Sequence, residues 1–292
     1  MPRQSRHEGT DGGATAPGTA PQPTDERFRV GLARAFAGAI IFALPLLMTM
    51  EMWWLGFYMV RLRLTLLLLL LLPLLVVLAY HAGFEESFTW RHAMVSAAVA
   101  YAVGFSAAAA VLALLAVIGP GMPAEEILGK ILLQSVPGSF GALLARSLLG
   151  EHKAEERERG SSERYAGEIF LMAVGALFLA FNVAPTEEIV LIAYQMTHWH
   201  ALALVAVSLV TMHAFVYAVG FRGQSSIPPG TPAWSMFLRF TVVGYAVVLL
   251  ISAYVLWTFG RTDGMAVDKT VMMTVVLGFP AAMGAAAARL II

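Results

Sequence analysis

A chain of 292 residues that is 59% hydrophobic and only 13% charged cannot cover itself with a polar surface, since a soluble domain carries roughly 25% charged residues. Nineteen basic and nineteen acidic residues cancel, so no net field draws in nucleic acid. With no cysteine, disulfides, thiolate metal sites and cysteine nucleophiles are excluded.

Met1 to Val30 is rich in Gly, Pro, Thr and charge. It holds too little large apolar surface to offset its ordering entropy, and is expected to be a disordered cytoplasmic tail. The apolar run after it, Ala35–Met59, is too long for the core of a signal peptide and lacks a small-residue cleavage site, so it reads as an anchor that stays. A membrane-crossing helix needs about 20 mostly apolar residues. Eight stretches meet that need: Ala35–Met59, Leu64–Ala82, Ala93–Ile118, Ile131–Leu149, Ile169–Met196, Ala201–Phe221, Trp234–Gly260 and Thr270–Ile292. The fourth is the weakest, interrupted by Gln134, Ser135, Pro137 and Gly138. Continuous hydrophobicity favours helices over barrel strands, which alternate over about ten residues. The expected fold is therefore an all-α polytopic membrane protein.

Lys and Arg sort unevenly between the loops. Thirteen fall on the side that holds both termini, whereas only Arg61, Arg63, Lys130, Arg261 and Lys269 fall on the other. That bias predicts termini in the cytoplasm. The hydrophilic loop Gly150–Arg164 mixes acids and bases, which suits a solvated linker or a regulatory docking segment.

Scarce residues recur in order. At an offset of 137, Gly38, Thr49 and Glu51 match Gly175, Thr186 and Glu188, and Tyr80, Gly83 and Phe84 match Tyr217, Gly220 and Phe221. At 144, Trp90 matches Trp234; at 143, Pro137, Gly141, Ala145 and Arg146 match Pro280, Gly284, Ala288 and Arg289. The expectation is two tandem four-helix repeats of the same orientation about a pseudo-two-fold axis along the membrane normal. The parts would be the tail 1–30, a first membrane repeat 31–150, a charged linker 151–164 and a second repeat 165–292.

Carboxylates inside a bilayer cost about 2.5–3.5 kcal/mol each and usually face a cavity or a partner. Glu51 stands about two thirds along the first predicted span and Glu188 at matched depth in the fifth, preceded by Glu187 in Asn182-Val-Ala-Pro-Thr-Glu-Glu. Such acids repel unless one is protonated or a cation is recruited. Together with Thr49, Thr186 and Asn182 they are candidates for an oxygen-lined cation or proton site. The alternative is that these segments reach the membrane boundary, as the aromatic group Trp53, Trp54 and Tyr58 suggests. Pro185 is expected to bend its helix. Pro137-x-x-x-Gly141 and Pro280-x-x-x-Gly284 offer small faces for close helix packing, or hinges. His213, in the sixth span, is either a hydrogen-bonded interior histidine or a proton relay. His198 and His200 are loop residues open to metal or solvent, and Glu125 and Glu126 mark a helix start. Nothing resembles a nucleotide loop, a haem ligand pair or a retinal lysine, so no cofactor is expected. Lipid, with cations or protons, is the expected partner; the metal and the oligomeric state are not legible.

The acidic stretches Thr49-Met-Glu51 and Ala184-Pro-Thr-Glu-Glu188, with the duplicated proline–glycine helices, resemble an uncharacterised bacterial family of integral membrane proteins, which implies no activity. Ala184-Pro-Thr-Glu-Glu-Ile189 also resembles the opening of the glutamate-pair motif of CAAX-type intramembrane proteases. There Ile192 stands where that family has arginine, and Leu209 where it has the phenylalanine before His213. Three functions follow: a cation or proton pathway using Glu51, Glu187 and Glu188, a non-transporting sensor or scaffold, and, least supported, a glutamate-type protease. The chain is expected not to be an enzyme.

Overall fold

The computed structural model describes residues 24–82, 89–148, 161–217, 234 and 237–291, and these are helical apart from short connections. Residues 1–23 of the expected tail, 149–150 at the end of the expected first repeat and 151–160 of the expected linker lie outside the described residues. In chain order the helices are α1 (Thr24–Leu47), α2 (Met50–Tyr58), α3 (Arg61–Ala82), α4 (Trp90–Leu114), α5 (Ala124–Leu148), α6 (Ser161–Val183), α7 (Glu188–Gln195), α8 (His198–Tyr217), α9 (Val243–Thr258) and α10 (Val267–Ile291). A π-helical turn, Phe237–Val242, leads into α9.

Eight of these helices are long and apolar enough to cross a membrane. The first and fifth differ from expectation. Ala35–Met59 and Ile169–Met196 do not run through: each crossing helix starts earlier and stops at Leu47 or Val183, and a short helix follows. α1 begins at Thr24, inside the segment expected to be disordered, and its opening Thr-Asp-Glu is a sequence of the kind that favours a helix N-terminus. α6 begins at Ser161, inside the expected linker, on a Ser-Ser-Glu sequence of the same kind. Glu51 and Glu188 consequently lie beyond the apolar crossing segments rather than two thirds along them.

The connections after α4 and α9 close in the same way. Ala116 and Gly260 adopt left-handed φ values of 55° and 73°. Ala116 N–H donates to Ala113 O and Val117 N–H to Leu112 O, while Gly260 N–H donates to Trp257 O and Arg261 N–H to Leu256 O. These paired bonds satisfy the last carbonyls of each helix.

Each half has a central helix. α5 is touched by α1, α2, α3 and α4, and α10 by α6, α7, α8 and α9. Of their apolar segments, 78% and 61% respectively are buried, against 39% or less for the other six. This explains the weak fourth span: a helix shielded from lipid tolerates Gln134, Ser135 and Ser139, all fully buried. Close approach is made by glycine. A methyl group on Gly38 would overlap the Gly141 carbonyl and the Ala145 side chain, and one on Gly175 would overlap the Gly284 carbonyl and the Ala288 side chain. The Gly141 and Gly284 faces are thus packing surfaces for α1 and α6. Pro137 and Pro280 lie inside helices that continue past them.

Helix bounds recur between the halves. Adding 137 to α1, α2 and α3 gives 161–184, 187–195 and 198–219, beside the observed 161–183, 188–195 and 198–217; adding 143 to α5 gives 267–291, the bounds of α10. Across the seam, α3 meets α9, and the Phe42 and Phe178 rings lie 5.2 Å apart.

Candidate functional site at the paired helix breaks

Both breaks lie at the end of the bundle away from the chain termini, here the distal end. At the α1–α2 break, the Thr49 N–H donates to Leu46 O at 3.0 Å. The Thr49 hydroxyl donates to Pro45 O at 2.5 Å, so it does not cap α2. Two side chains stitch the opened carbonyls: Trp53 Nε1 donates to Leu47 O at 2.7 Å and Gln134 Nε2 to Leu46 O at 3.0 Å. Gln134 is fully buried and its Oε1 has no hydrogen-bond partner among the described residues. Glu51 is half-buried in the first turn of α2.

The α6–α7 break repeats the backbone pattern with other side chains. Thr186 N–H donates to Val183 O at 3.1 Å and its hydroxyl to the same oxygen at 2.9 Å. Asn182 Nδ2 donates back to Phe178 O at 2.8 Å, and Pro185 sits buried in the gap. The expected bend at Pro185 is therefore a full interruption of the helix. The Arg261 guanidinium donates to Pro185 O. Glu187 and Glu188 are exposed. The backbone N–H of Glu188 itself, the Thr186 hydroxyl and nearby Arg261 hold the Glu188 carboxyl below the ordinary carboxylate range. Both short helices end alike, with Met59 N–H on Leu55 O at 2.9 Å and Met196 N–H on Ile192 O at 3.0 Å.

The remaining sequence candidates lie elsewhere. His213 is half-buried in α8, its Nδ1 3.0 Å from the hydroxyl of Thr241 in the π-helical turn and its ring edge-on to Phe237. From His198 to His213 the helix rises about 20 Å, so His213 and the glutamates stand at different levels of the bundle. His198 and His200 are exposed, and Thr197 N–H donates to His200 Nδ1 at 3.2 Å. Glu125 and Glu126 do occupy the first turn of α5. Among the described residues no three His, Asp or Glu side chains come together as a metal site.

Residues 31–292, which take in both breaks and all eight crossing segments but for the first turn of α1, match the family described as "Putative integral membrane protein (DUF2391)". The chain belongs to this family. No curated protein and no solved structure matches it. What the family description supports is an integral membrane protein, in agreement with the eight crossing helices.

Sequence reasoning passed over a set of partnered cations at the same distal end. Arg61 pairs with Glu125. Arg63 makes a two-pronged pair with Asp263 and lies over the Trp257 ring. Lys130 pairs with Glu126 at 2.6 Å and donates to Val117 O at 3.2 Å. Arg261 holds Pro185 O, and Lys269 lies 4.8 Å over the Tyr194 ring. These are the five basic residues of the sparse side. Their signal was their retention on the side where Lys and Arg are rare.

Proposed function

We propose that this family member consists of two tandem, same-direction copies of a four-span unit that form a cation or proton pathway in a bacterial inner membrane, with its termini in the cytoplasm. One observation carries the reading: in each copy the first crossing helix stops and a short helix restarts at the same place, Thr49 or Thr186, with an acid two residues on. Interrupted helices at a repeat interface are a recurrent way for transporters to present backbone groups and acids to an ion. Glu187 and Glu188, with Glu51, would concentrate cations at the distal end. The duplication is supported by the recurring helix bounds and by the twin glycine contacts. Phe42 and Phe178, one position from equivalence at offset 137, meet across the seam, as residues near a two-fold axis do.

Cation and proton flux into proteoliposomes tests the proposal. Glu51→Gln and Glu188→Gln are expected to lower flux at least tenfold, and wild-type flux in both would refute it. A second reading, a non-transporting sensor or scaffold acting through the tail and linker, is favoured by the exposure of Glu187 and Glu188. It expects that removal of Met1 to Val30 abolishes the cellular phenotype while the acids are dispensable. The protease reading requires the glutamates and His213 to act together, which their different levels in the bundle do not favour.

A further inference from the structure

The halves meet at the distal end through a contact that neither half repeats. Arg63, in the first turns of α3, sends Nη1 and Nη2 to the two carboxylate oxygens of Asp263, at 2.8 and 2.7 Å. Asp263 lies in the connection after α9. The guanidinium carbon stands 4.9 Å over the ring of Trp257, near the end of α9. The fork geometry matches a carboxylate, and the aromatic face adds a second attraction for the same cation.

Two features indicate a built contact. The Arg63 side chain is only 15% exposed although Asp263 is 53% exposed, so the cation is held in the seam and is screened little by salt. Gly260 sits directly beneath: a Cβ there would come within 3.3 Å of both Arg63 Nη1 and Asp263 Oδ2, and its φ of +73° disfavours any side chain. The connection is shaped around the pair by Asp263 N–H to Gly260 O at 3.2 Å and Met265 N–H to Thr262 O at 3.2 Å. Residues at the matched offsets are His200 for Arg63 and Gly119 for Asp263. A mirror-image contact is therefore chemically excluded, and the charge pair is single.

We propose that Arg63, Asp263 and Trp257 form a latch that sets the spacing of the two halves at the distal end, and that breaking the Arg63–Asp263 pair lets them part there. The inference concerns the seam alone and holds whether or not an ion crosses the protein.

The native chain has no cysteine, so Leu62→Cys and Val267→Cys, at exposed positions flanking the latch, can be spin-labelled in the full chain in lipid nanodiscs. Pulsed dipolar spectroscopy is expected to give one narrow distance for the labelled parent. Asp263→Asn should broaden it and move it to longer distance, Arg63→Gln should do the same, and Asp263→Glu should leave it near the parent value. Unchanged distributions in both the Asn and the Gln variants would overturn the latch. Asp263 is half exposed and Asn keeps its shape, so the decisive variant should remain folded. Ion flux is not read in this experiment, which keeps its outcome separate from that of the transport proposal.

Discussion

The two central helices, α5 and α10, occupy the same place in their halves but solve the packing problem with different chemistry. α5 meets its neighbours with Lys130, Gln134, Ser135 and Ser139, all buried, where the matched residues of α10 are Met273, Leu277, Gly278 and Ala282. The glycine contacts with α1 and α6 are common to the two. Backbone proximity is thus common to the two helices, and interior polarity is where they differ. Polar groups in α5 find partners close by: Gln134 on Leu46 O, Ser139 on Ser135 O at 2.6 Å, and Lys130 on Glu126.

The comparison breaks most sharply at the shared glycines. Gly141→Val and Gly284→Val each drive a side chain into facing backbone, and each is expected to cost about 3 kcal/mol or more, the upper range of overpacking. Monodisperse yield and thermal unfolding would check this, and a tolerated variant in one half would show that the contact is not shared after all. Exchanging the polar position sharpens the contrast. Leu277→Gln buries an amide where α10 has an apolar neighbourhood and should cost about 2 kcal/mol. Gln134→Leu removes both a hydrogen bond and an unpartnered oxygen, and should change stability by less than about 1 kcal/mol.

An effect smaller than that of Leu277→Gln is expected at the matched left-handed residues. Ala116→Gly should stabilise, and Gly260→Ala destabilise, each by about 1 kcal/mol, because a Cβ is disfavoured at positive φ. Denaturation midpoints of the two variants should move in opposite directions. The smallest effect concerns the latch. Hydrogen bonds from Arg63 hold Asp263 below its ordinary range, so its contribution is present above the unfolded-state value and fades as pH falls through the folded one. For a half-exposed carboxylate this is under about 1 kcal/mol. The stability difference between wild type and Asp263→Asn should therefore be measurable at neutral pH and vanish in acid.

The eight crossings were legible because a mostly apolar run of about 20 residues matches the thickness of a bilayer and exceeds what a small soluble core can enclose. Their ends were not. At 1.5 Å per residue, the predicted span Ala35–Met59 measures about 37 Å and Ile169–Met196 about 42 Å, against a hydrocarbon core of about 30 Å. The excess is α2 and α7, which are as apolar as most of the crossing helices and whose Trp54, Phe57, Leu191 and Ile192 are exposed. Counting apolar residues cannot separate a helix that crosses from one at its edge. Threonine followed by acid, at Thr49-Met-Glu51 and Thr186-Glu-Glu188, was the available mark of a new helix start. Of the candidate site, Glu51, Glu187, Glu188, Thr49, Thr186 and Asn182 all stand at or beside the breaks, whereas Gln134 and Arg261 come from remote elements that only the fold brings near.

The enclosure of α5 and α10 has a consequence for biogenesis. Each is the last span of its half to leave the ribosome, and each becomes surrounded by helices made before it. A segment bearing Lys130, Gln134, Ser135 and Ser139 partitions poorly into bare lipid, so α5 must enter the bilayer against α1 and α4 already waiting there. A chain that stopped after α4 would leave the faces of α1, α3 and α4 that α5 covers without their partner.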